Sequence, residues 1–343
     1  MTDELPKYDF KPDNKQWMED FNKTIYHQMK SEYYKRRCDE TGFKGNIESL
    51  NDLKRVPYIA DWEFKLTNKE HKHLLTIPQE KIHVYTISSS TTGNPSFVPR
   101  TLTDVEIFQR NFGNVTLVCS NGFVNNTFFI SPSMDLILKN TTTQHNGTTS
   151  QPFGPLVYKG VDSLFSGENG YGTVQYLIKL NKINTVLRSL KERKKTPSFD
   201  KKISSFISFL KENQNDGVKI QLGGPTIPTY KFLKDIEEQG HSFDMNNQVI
   251  VTVGAGGWDG KKGDRNTDPI SKESFFKLVN TIFGVNTFYD IYGTSESPVA
   301  FYGTYDTSVK DVIHSPMKHT RILVRNPDTG EIITKKTKRE SYK

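Results

Sequence analysis

The stretch VIVTVGAGGWDG (residues 249–260) begins with five β-branched residues and then opens into a glycine-rich loop. After it, Ser271–Gly284 (SKESFFKLVNTIFG) has a capping serine, apolar residues at helical spacing and a terminal glycine, which together predict a helix. Thr287–Ile291 (TFYDI) predicts a second strand, and this strand opens into Tyr292–Glu296 (YGTSE). Strand, helix and strand form a βαβ unit, whose strands are parallel and whose crossover is right-handed. The predicted class is therefore α/β.

A third loop of similar composition lies earlier in the chain. Ile82–Ile87 (IHVYTI) predicts a strand that runs directly into the hydroxyl-rich loop Ser88–Gly93 (SSSTTG). In an open parallel sheet, ligands bind beyond the carboxyl ends of the strands. If the three strands share one sheet, the loops 88–93, 254–257 and 292–296 meet in one crevice. We therefore expect one ligand site made of these three loops.

The rest of the chain supplies further helices and strands. Lys15–Arg37 has an apolar residue at every fourth position, which predicts one amphipathic helix with Asp13 or Asn14 as its N-cap. Val115–Cys119 and Phe128–Ile130 predict short buried strands. The other predicted elements are a polar loop at Asn140–Gly154, which is not expected to pack, and helices at Thr103–Asn111, Tyr176–Leu190, Ile203–Leu210 and Tyr230–Glu238.

Composition excludes several classes of protein. The 343 residues carry 46 Lys+Arg against 39 Asp+Glu, and this net charge of +7 is too small and too dispersed to predict a nucleic-acid partner. Because Cys38 and Cys119 are the only cysteines, a disulfide framework and a cysteine-based metal cluster are excluded. No window approaches ~18 consecutive apolar residues, so no membrane span is predicted. The acidic N-terminus lacks the apolar core of a signal peptide, and we expect a cytoplasmic protein.

Local chemistry alone leaves the hydroxyl-rich loop with two interpretations. Its hydroxyls and backbone amides suit phosphate oxygens, but a solvent-exposed Ser/Thr loop has the same composition. It is not a Walker A loop, because no lysine follows Gly93. A hydrolase elbow is not predicted at Gly293–Ser297, since the final glycine of G-x-S-x-G is missing. His71 and His73 alternate as on a strand without a third ligand at zinc-like spacing.

Three motifs together resemble a known family. Ser88–Pro95 (SSSTTGNP) is similar to the phosphate loop of the adenylate-forming (AMP-dependent) ligases, and Tyr292–Glu296 (YGTSE) is similar to their Tyr-Gly-x-Thr/Ser-Glu motif. Gly254–Trp258 (GAGGW) stands where their adenine-side glycine loop belongs. The resemblance extends from Ser49 to Gly330. Within the superfamily, the sequence most resembles the acyl-protein synthetases of bacterial luminescence (the LuxE family), followed by the phenylacetate–CoA ligases.

The resemblance implies that these loops bind ATP and Mg²⁺. The phosphate loop would hold the β- and γ-phosphates, Tyr292 would stack on adenine, and the glycine loop would line the adenine and the acyl carboxylate. Ser295 would bond the α-phosphate and Glu296 would ligate Mg²⁺, since a hard cation prefers carboxylate oxygen. With Thr91, these two residues form the implied catalytic set. The residues implied to bind the nucleotide are Ser88, Ser89, Ser90, Thr91, Thr92, Gly93, Gly254, Ala255, Gly256, Gly257, Tyr292, Gly293 and Thr294.

The implied reaction is the ATP-dependent activation of a carboxylic acid as an acyl-adenylate. The acid is expected to be a fatty acid, and the acyl group would pass to a thiol, either a protein cysteine or coenzyme A. The sequence departs from the family pattern at Ser90, where glycine is usual, and at Ser295, where threonine is commoner. Neither departure removes a group that the chemistry needs.

The resemblance also implies a division of the chain. Residues 1–80 would form a helical region, residues 81–330 the ATP-binding adenylation domain, with mostly parallel sheets flanked by helices, and residues 331–343 a basic tail. Arg321–Gly330 (RILVRNPDTG) is similar to a family turn that precedes a ribose-binding aspartate and, in many members, a lid domain with a catalytic lysine. Neither is recognised here, so a lid is not expected. An aryl- or acyl-CoA ligase-like protein and a non-catalytic nucleotide-binding protein therefore remain as alternatives.

Overall fold

The computed structural model describes two compact units. The larger unit contains the described residues between Gln79 and Ser315, together with Phe64 and Lys65, and the smaller contains the others. The predicted helix Tyr176–Leu190 lies outside the described residues. The structure describes residues 13–65, 71–88, 96–119, 127–130, 143–145, 148–152, 199–215, 219–262, 265–297, 299–315, 317, 320–326 and 331–333.

The larger unit contains both helices and strands, while the described part of the smaller unit begins with two helices. The described helices are α1 (Asn14–Gln28), α2 (Glu32–Thr41), α3 (Leu102–Cys119), α4 (Phe199–Asn213), α5 (Thr226–Glu238) and α6 (Lys272–Phe283). The described strands are β1 (Val84–Ile87), β2 (Phe97–Arg100), β3 (Thr127–Ile130), β4 (Thr143–His145), β5 (Thr148–Pro152), β6 (Lys219–Pro225), β7 (Val249–Gly254), β8 (Lys261–Lys262), β9 (Arg265–Asn266), β10 (Tyr289–Gly293), β11 (Ala300–Asp306) and β12 (Asp311–Ser315).

The main framework of the larger unit is a mixed sheet with the strand order β12-β11-β10-β7-β6-β3. The strands from β3 to β10 in this order are parallel, and β11 and β12 extend the sheet in antiparallel fashion. The predicted βαβ unit is confirmed, because β7 and β10 pair in parallel and α6 lies between them in the chain. The α/β class is likewise confirmed.

Neighbouring residues in the sequence determine where helix α6 begins, which face it buries and where it ends. The Ser271 hydroxyl accepts a hydrogen bond from the backbone amide of Ser274 at 2.9 Å, as an N-cap does. At the other end, Gly284 adopts the left-handed conformation (φ 70°) that commonly ends a helix. The buried residues between these ends recur at helical spacing and face the core: Phe275, Leu278, Val279, Ile282 and Phe283.

One face of the main sheet packs against helices α4, α5 and α6 in a single apolar core. Alternate residues of β7 belong to this core, and Val249, Val251 and Val253 are each no more than 3% exposed. Burial of apolar surface contributes about 25 cal/mol per Å², so this core holds the sheet and the three helices together. Strand β7 is central in the sheet, which gives its carboxyl end a rigid base.

A second sheet of the larger unit has the order β2-β1-β5-β4. Strand β1, which leads into the hydroxyl-rich loop, pairs with β2 and β5 in this sheet. The expectation that this strand shares a sheet with β7 and β10 is therefore wrong. Strand pairing is a non-local choice, and an apolar strand pattern is compatible with either sheet. Strand β2 is at the edge of its sheet, where Pro99 removes no ladder hydrogen bond.

The prediction of a strand at Val115–Cys119 is wrong, because these residues form the last turns of helix α3. The buried residues Val105, Phe108, Val115 and Cys119 follow helical rather than alternating spacing. A short apolar run cannot by itself distinguish a buried strand from a buried helix segment. Thr101 precedes the helix and caps it: its hydroxyl accepts from the amide of Asp104 at 3.1 Å, while the Asp104 carboxylate accepts from the Thr101 amide at 2.8 Å.

The polar stretch Asn140–Gly154, predicted as an unpacked loop, contributes strands β4 and β5. Strand β5 pairs in parallel with β1, with Tyr85 opposite Ser150. The backbone hydrogen bonds of this ladder join the segment to β1, and a prediction from composition does not detect them.

The single predicted helix over Lys15–Arg37 is two helices, α1 and α2. Asp13 is the N-cap of α1, as predicted, and its carboxylate accepts from the amide of Gln16 at 3.1 Å. Ser31 caps a new helix, since its hydroxyl accepts from the amide of Tyr34 and donates to the carbonyl of His73. A side-chain cap within an apolar periodicity thus ends one helix and starts the next.

The remaining local predictions are largely confirmed. Strand β3 and helix α4 cover the predicted segments, and α5 begins at Thr226, earlier than the predicted Tyr230. Within the parts of the chain that the structure describes, every helix is too short or too polar to cross a membrane.

Candidate nucleotide site

The carboxyl ends of β7 and β10 lie side by side, and they bring two of the three predicted loops together. Gly254, the last residue of β7, is opposite Ile291 of β10. A Cβ atom at Gly254 would lie 2.8 Å from the carbonyl oxygen of Ile291, so only glycine permits this close approach. Gly254 therefore keeps the two loops, 255–257 and 292–296, adjacent at one edge of the sheet.

The glycine loop after β7 has an unusual backbone conformation. Ala255, Gly256 and Gly257 have φ values of 64°, 68° and 91°, so three successive residues are left-handed. This conformation is uncommon for alanine, and such strain is found preferentially at functional sites. Ala255 and Gly256 are exposed, and a Cβ at Gly256 would meet no atom within 4 Å. The loop thus presents bare backbone to open space, which allows a ligand to approach closely.

Tyr292, at the end of β10, presents an aromatic surface to solvent. Its side chain is 51% exposed, although its ring stacks on Phe301 with centroids 4.8 Å apart and an interplanar angle of 22°. His314 contacts both rings edge-on, at 6.2 Å from Tyr292 and 5.7 Å from Phe301. The contacts with Phe301 and His314 hold the tyrosine ring in place, so that a planar base could stack on its exposed face.

The turn after β10 carries a buried serine and a half-buried carboxylate. Ser295 is 8% exposed and Glu296 is partly exposed. No hydrogen bond or ion pair joins the Glu296 carboxylate to another described residue, so its oxygens fit the role of a ligand for a hard cation. The described residues contain no cluster of three or more metal-ligating side chains. Glu296 would therefore be a single carboxylate ligand, which suits Mg²⁺ held together with phosphate oxygens and water.

Of the hydroxyl-rich loop, the structure describes Ser88, at its start, and Ser96, which follows the loop. The Ser88 hydroxyl accepts from the amide of Ser96 at 2.8 Å, and the Ser88 amide donates to the Ser96 carbonyl at 3.1 Å. Lys65, which no sequence motif indicates, donates to the Ser96 hydroxyl at 3.1 Å and so lies where this loop begins and ends. The predicted phosphate-binding residues Ser89, Ser90, Thr91, Thr92 and Gly93 lie outside the described residues.

A buried polar group near Tyr292 is likewise not indicated by any sequence motif. Asp290 of β10 is 6% exposed, accepts a hydrogen bond from Trp258 Nε1 at 3.0 Å, and lies 3.7 Å from His314 Nε2. Burial raises the pKa of Asp290 and lowers the pKa of His314, because each charged form loses solvation. Gly303 of β11 is opposite Asp290 on one side and His314 on the other. Because it has no side chain, the imidazole of His314 has room over the sheet at this position. The bond from Trp258 ties the end of the glycine loop to β10.

The geometry therefore defines a class of protein: an α/β protein in which the loops 254–257 and 292–296 lie together at the carboxyl ends of two neighbouring parallel strands. Two solved structures of 2-hydroxyisobutyryl-CoA ligase in complex with 2-HIB-AMP and CoA are similar to this chain. One, in an open conformation, has a TM-score of 0.51 at 11% sequence identity, and the match covers 88% of this chain and 61% of the ligase chain. The other, in the thioesterification state, has a TM-score of 0.52 at 12% sequence identity, and the match covers 88% of this chain and 56% of the ligase chain.

The chain thus spans about three-fifths of the length of these structures. No protein-family profile matches the sequence, and no curated protein matches it. A likeness at 11–12% identity shows the fold. The acyl-protein synthetase and phenylacetate–CoA ligase branches remain predictions.

Proposed function

We propose that this chain uses ATP and Mg²⁺ to activate a carboxylic acid as an acyl-adenylate. The observation that carries the proposal is the adjacency of two loops, 254–257 and 292–296, at the carboxyl ends of β7 and β10. Ligands of open α/β sheets bind at such strand ends. The resemblance of both loops to nucleotide-binding motifs and the fold shared with a CoA ligase that binds an acyl-AMP support the same conclusion.

Each loop has a distinct task in this proposal. The backbone of Gly254, Ala255, Gly256 and Gly257 lines the base and the acyl carboxylate, and Tyr292 stacks on the base. Gly293 and Thr294 shape the turn that presents the Ser295 hydroxyl to the α-phosphate. Mg²⁺ at this turn would neutralise phosphate charge, and this would lower the barrier to attack by a carboxylate oxygen on the α-phosphorus.

The chain's own groups do the positioning on which this chemistry depends. Glu296 would hold the metal, and the loop from Ser88 to Gly93 would hold the β- and γ-phosphates. Attack by the acid releases pyrophosphate, so catalysis consists mostly of orienting the two reactants and stabilising charge, as in phosphoryl transfer.

The acceptor of the activated acyl group is a thiol. The resemblance to the LuxE family favours a fatty acid and a protein cysteine as acceptor. Coenzyme A is the second candidate, since the two similar solved structures contain CoA. Both routes share the adenylation step and differ in the thiol that attacks the acyl carbon and displaces AMP.

ATP–pyrophosphate exchange tests the proposed function directly. The chain is incubated with ATP, Mg²⁺ and labelled pyrophosphate, with a panel of fatty and aryl acids. Exchange that depends on one class of acid supports adenylation and identifies the acid. Binding of Mg·ATP without exchange for any acid would instead favour a non-catalytic nucleotide-binding protein.

Removal of hydroxyl donors from the phosphate loop is expected to weaken nucleotide binding. Thr91→Val and Thr92→Val conserve volume, and each should lower the binding free energy of Mg·ATP by about 1.5–3 kcal/mol if a charge-assisted hydrogen bond is lost. Calorimetry measures the affinity, and Thr24→Val on the exposed surface of α1 is the matched control. Unchanged affinity in both loop variants would mean that Ser88–Gly93 is an ordinary surface loop.

Neither cysteine of the chain suits the role of acyl acceptor, so no stable acyl-thioester is expected on this polypeptide. Cys38 and Cys119 are 1% and 0% exposed, and burial raises the pKa of both thiols, which disfavours the nucleophilic thiolate. The chain is incubated with ATP, Mg²⁺ and labelled tetradecanoic acid and then treated with hydroxylamine. A hydroxylamine-labile label that disappears in Cys38→Ser or Cys119→Ser would contradict this prediction.

A further inference from the structure

The guanidinium group of Arg100 joins the sheet that contains β1 to the turn after β10 of the main sheet. Arg100 ends β2 and is 4% exposed. Its Nε donates to Oγ1 of Thr86 on β1 at 3.2 Å, and its Nη2 donates to the carbonyl oxygen of Ser295 at 2.5 Å. Thr86 stands two residues before Ser88, and Ser295 directly precedes Glu296. One side chain therefore connects the strand that enters the phosphate loop with the turn that carries the candidate metal ligand.

Within the described part of the chain, this guanidinium forms hydrogen bonds but no ion pair. Both acceptors of its hydrogen bonds are neutral, and no carboxylate among the described residues lies within 4.0 Å of it. Burial lowers the pKa of Arg100, whereas the nearby carboxylates of Asp104 and Glu296 raise it. The ring of Phe108 lies 5.1 Å from the guanidinium carbon and contributes a cation–π contact. A buried cation in this setting favours an anion next to it.

The hydrogen bond to Ser295 also explains how the turn is held. Gly293 is the last residue of β10 that pairs with β11, so the following residues are beyond the ladder. A buried carbonyl group needs a hydrogen-bond donor, and Arg100 supplies one to Ser295 from a different sheet. This contact holds the backbone directly before Glu296.

We propose that Arg100 is a positioning residue of the nucleotide site. It holds the Ser295–Glu296 turn against the strand that leads to the phosphate loop, and its positive charge favours the polyphosphate of ATP beside that turn. This inference rests on the proposed function in its choice of ligand, whereas the mechanical connection between Arg100 and the turn is independent of it.

Two substitutions separate the charge of Arg100 from its geometry. Arg100→Met keeps a long side chain but removes the charge and both hydrogen bonds. Arg100→Lys keeps the charge, while a single ammonium group does not reproduce the forked contacts to Thr86 and Ser295. Arg36→Met is the matched control, because Arg36 also lies over an aromatic ring, that of Tyr33 at 5.3 Å, and is exposed in the smaller unit.

Two measurements are made on each full-length variant: Mg·ATP affinity by calorimetry, and hydrogen–deuterium exchange of the amides in residues 292–297 without ligand. Arg100→Met is expected to bind Mg·ATP about tenfold or more weakly, as loss of one charge-assisted hydrogen bond does, and to exchange faster in this segment. Arg100→Lys should exchange faster but retain more affinity than Arg100→Met. Arg36→Met should match the wild type in both measurements.

The outcomes distinguish this inference from the proposed function. Wild-type exchange and affinity in Arg100→Met would overturn the inference and leave the proposed function intact. Failure of the wild-type chain to bind Mg·ATP would overturn the proposed function, while faster exchange in the variants would still support the connection to the turn. If circular dichroism shows that Arg100→Met is unfolded, unchanged exchange at 292–297 in Arg100→Lys overturns the inference.

Discussion

Replacement of Phe288 by alanine is expected to lower the free energy of unfolding of the larger unit by about 3–5 kcal/mol, the usual cost of removing a buried phenyl ring. Phe288 is fully buried just before β10. Its ring lies 4.8 Å from that of Phe275, 5.2 Å from that of Tyr305 and 5.8 Å from that of Trp258. The cavity would therefore open between the core and the strand that carries the candidate site. Urea unfolding followed by tryptophan fluorescence and circular dichroism measures the loss.

The control for this substitution is Val309→Ala in the turn before β12. Val309 is 56% exposed, so its truncation should change the unfolding free energy by no more than about 0.5 kcal/mol. Equal urea midpoints for the Phe288 and Val309 variants would show that the ring is not part of the packing that stabilises this unit. Because native domains are stable by only about 5–15 kcal/mol, the Phe288 loss is large enough to be unambiguous.

Replacement of Glu296 by glutamine is expected to weaken Mg·ATP binding by about 1.5–3 kcal/mol, because the neutral amide removes the charged oxygen that the cation prefers. The substitution conserves shape, so the turn held by Arg100 should keep its conformation. Binding of ATP measured in EDTA should change much less than binding measured with Mg²⁺. Calorimetry with and without the metal separates the two effects.

Glu237→Gln provides the matched control. Glu237 lies on α5, and its carboxylate accepts a hydrogen bond from Lys234 at 2.7 Å on the helix surface. This variant loses the same charge as Glu296→Gln but none of the contacts at the ends of β7 and β10. If both variants bind Mg·ATP alike, the metal-ligand role assigned to Glu296 is wrong.

Local sequence signals were sufficient for the central βαβ unit. The run of β-branched residues in β7, the serine cap and glycine end of α6, and the strand before Tyr292 are each determined by neighbouring residues. Because parallel strands place their carboxyl ends at one edge, the adjacency of loops 254–257 and 292–296 also followed from the sequence. Here local preference and tertiary structure agree.

Where the choice between structures depends on distant partners, the sequence was insufficient. Val115–Cys119 is apolar enough for either a strand or a helix, and only its packing in α3 resolves the ambiguity. The polar segment that contains β5 forms a strand because its backbone pairs with that of β1. Likewise, the position of β1 in a second sheet depends on strand pairing rather than on its own composition.

The sequence by itself determined the α/β class, the βαβ unit and the candidate residues of two neighbouring loops. Only the tertiary structure identified Arg100, which contacts Ser295 across 195 positions of the chain, and the buried contact of Asp290 with Trp258 and His314. The physical reason is that a helix cap or an apolar period acts over a few residues, whereas a buried charge is stabilised by partners brought together only when the sheets assemble.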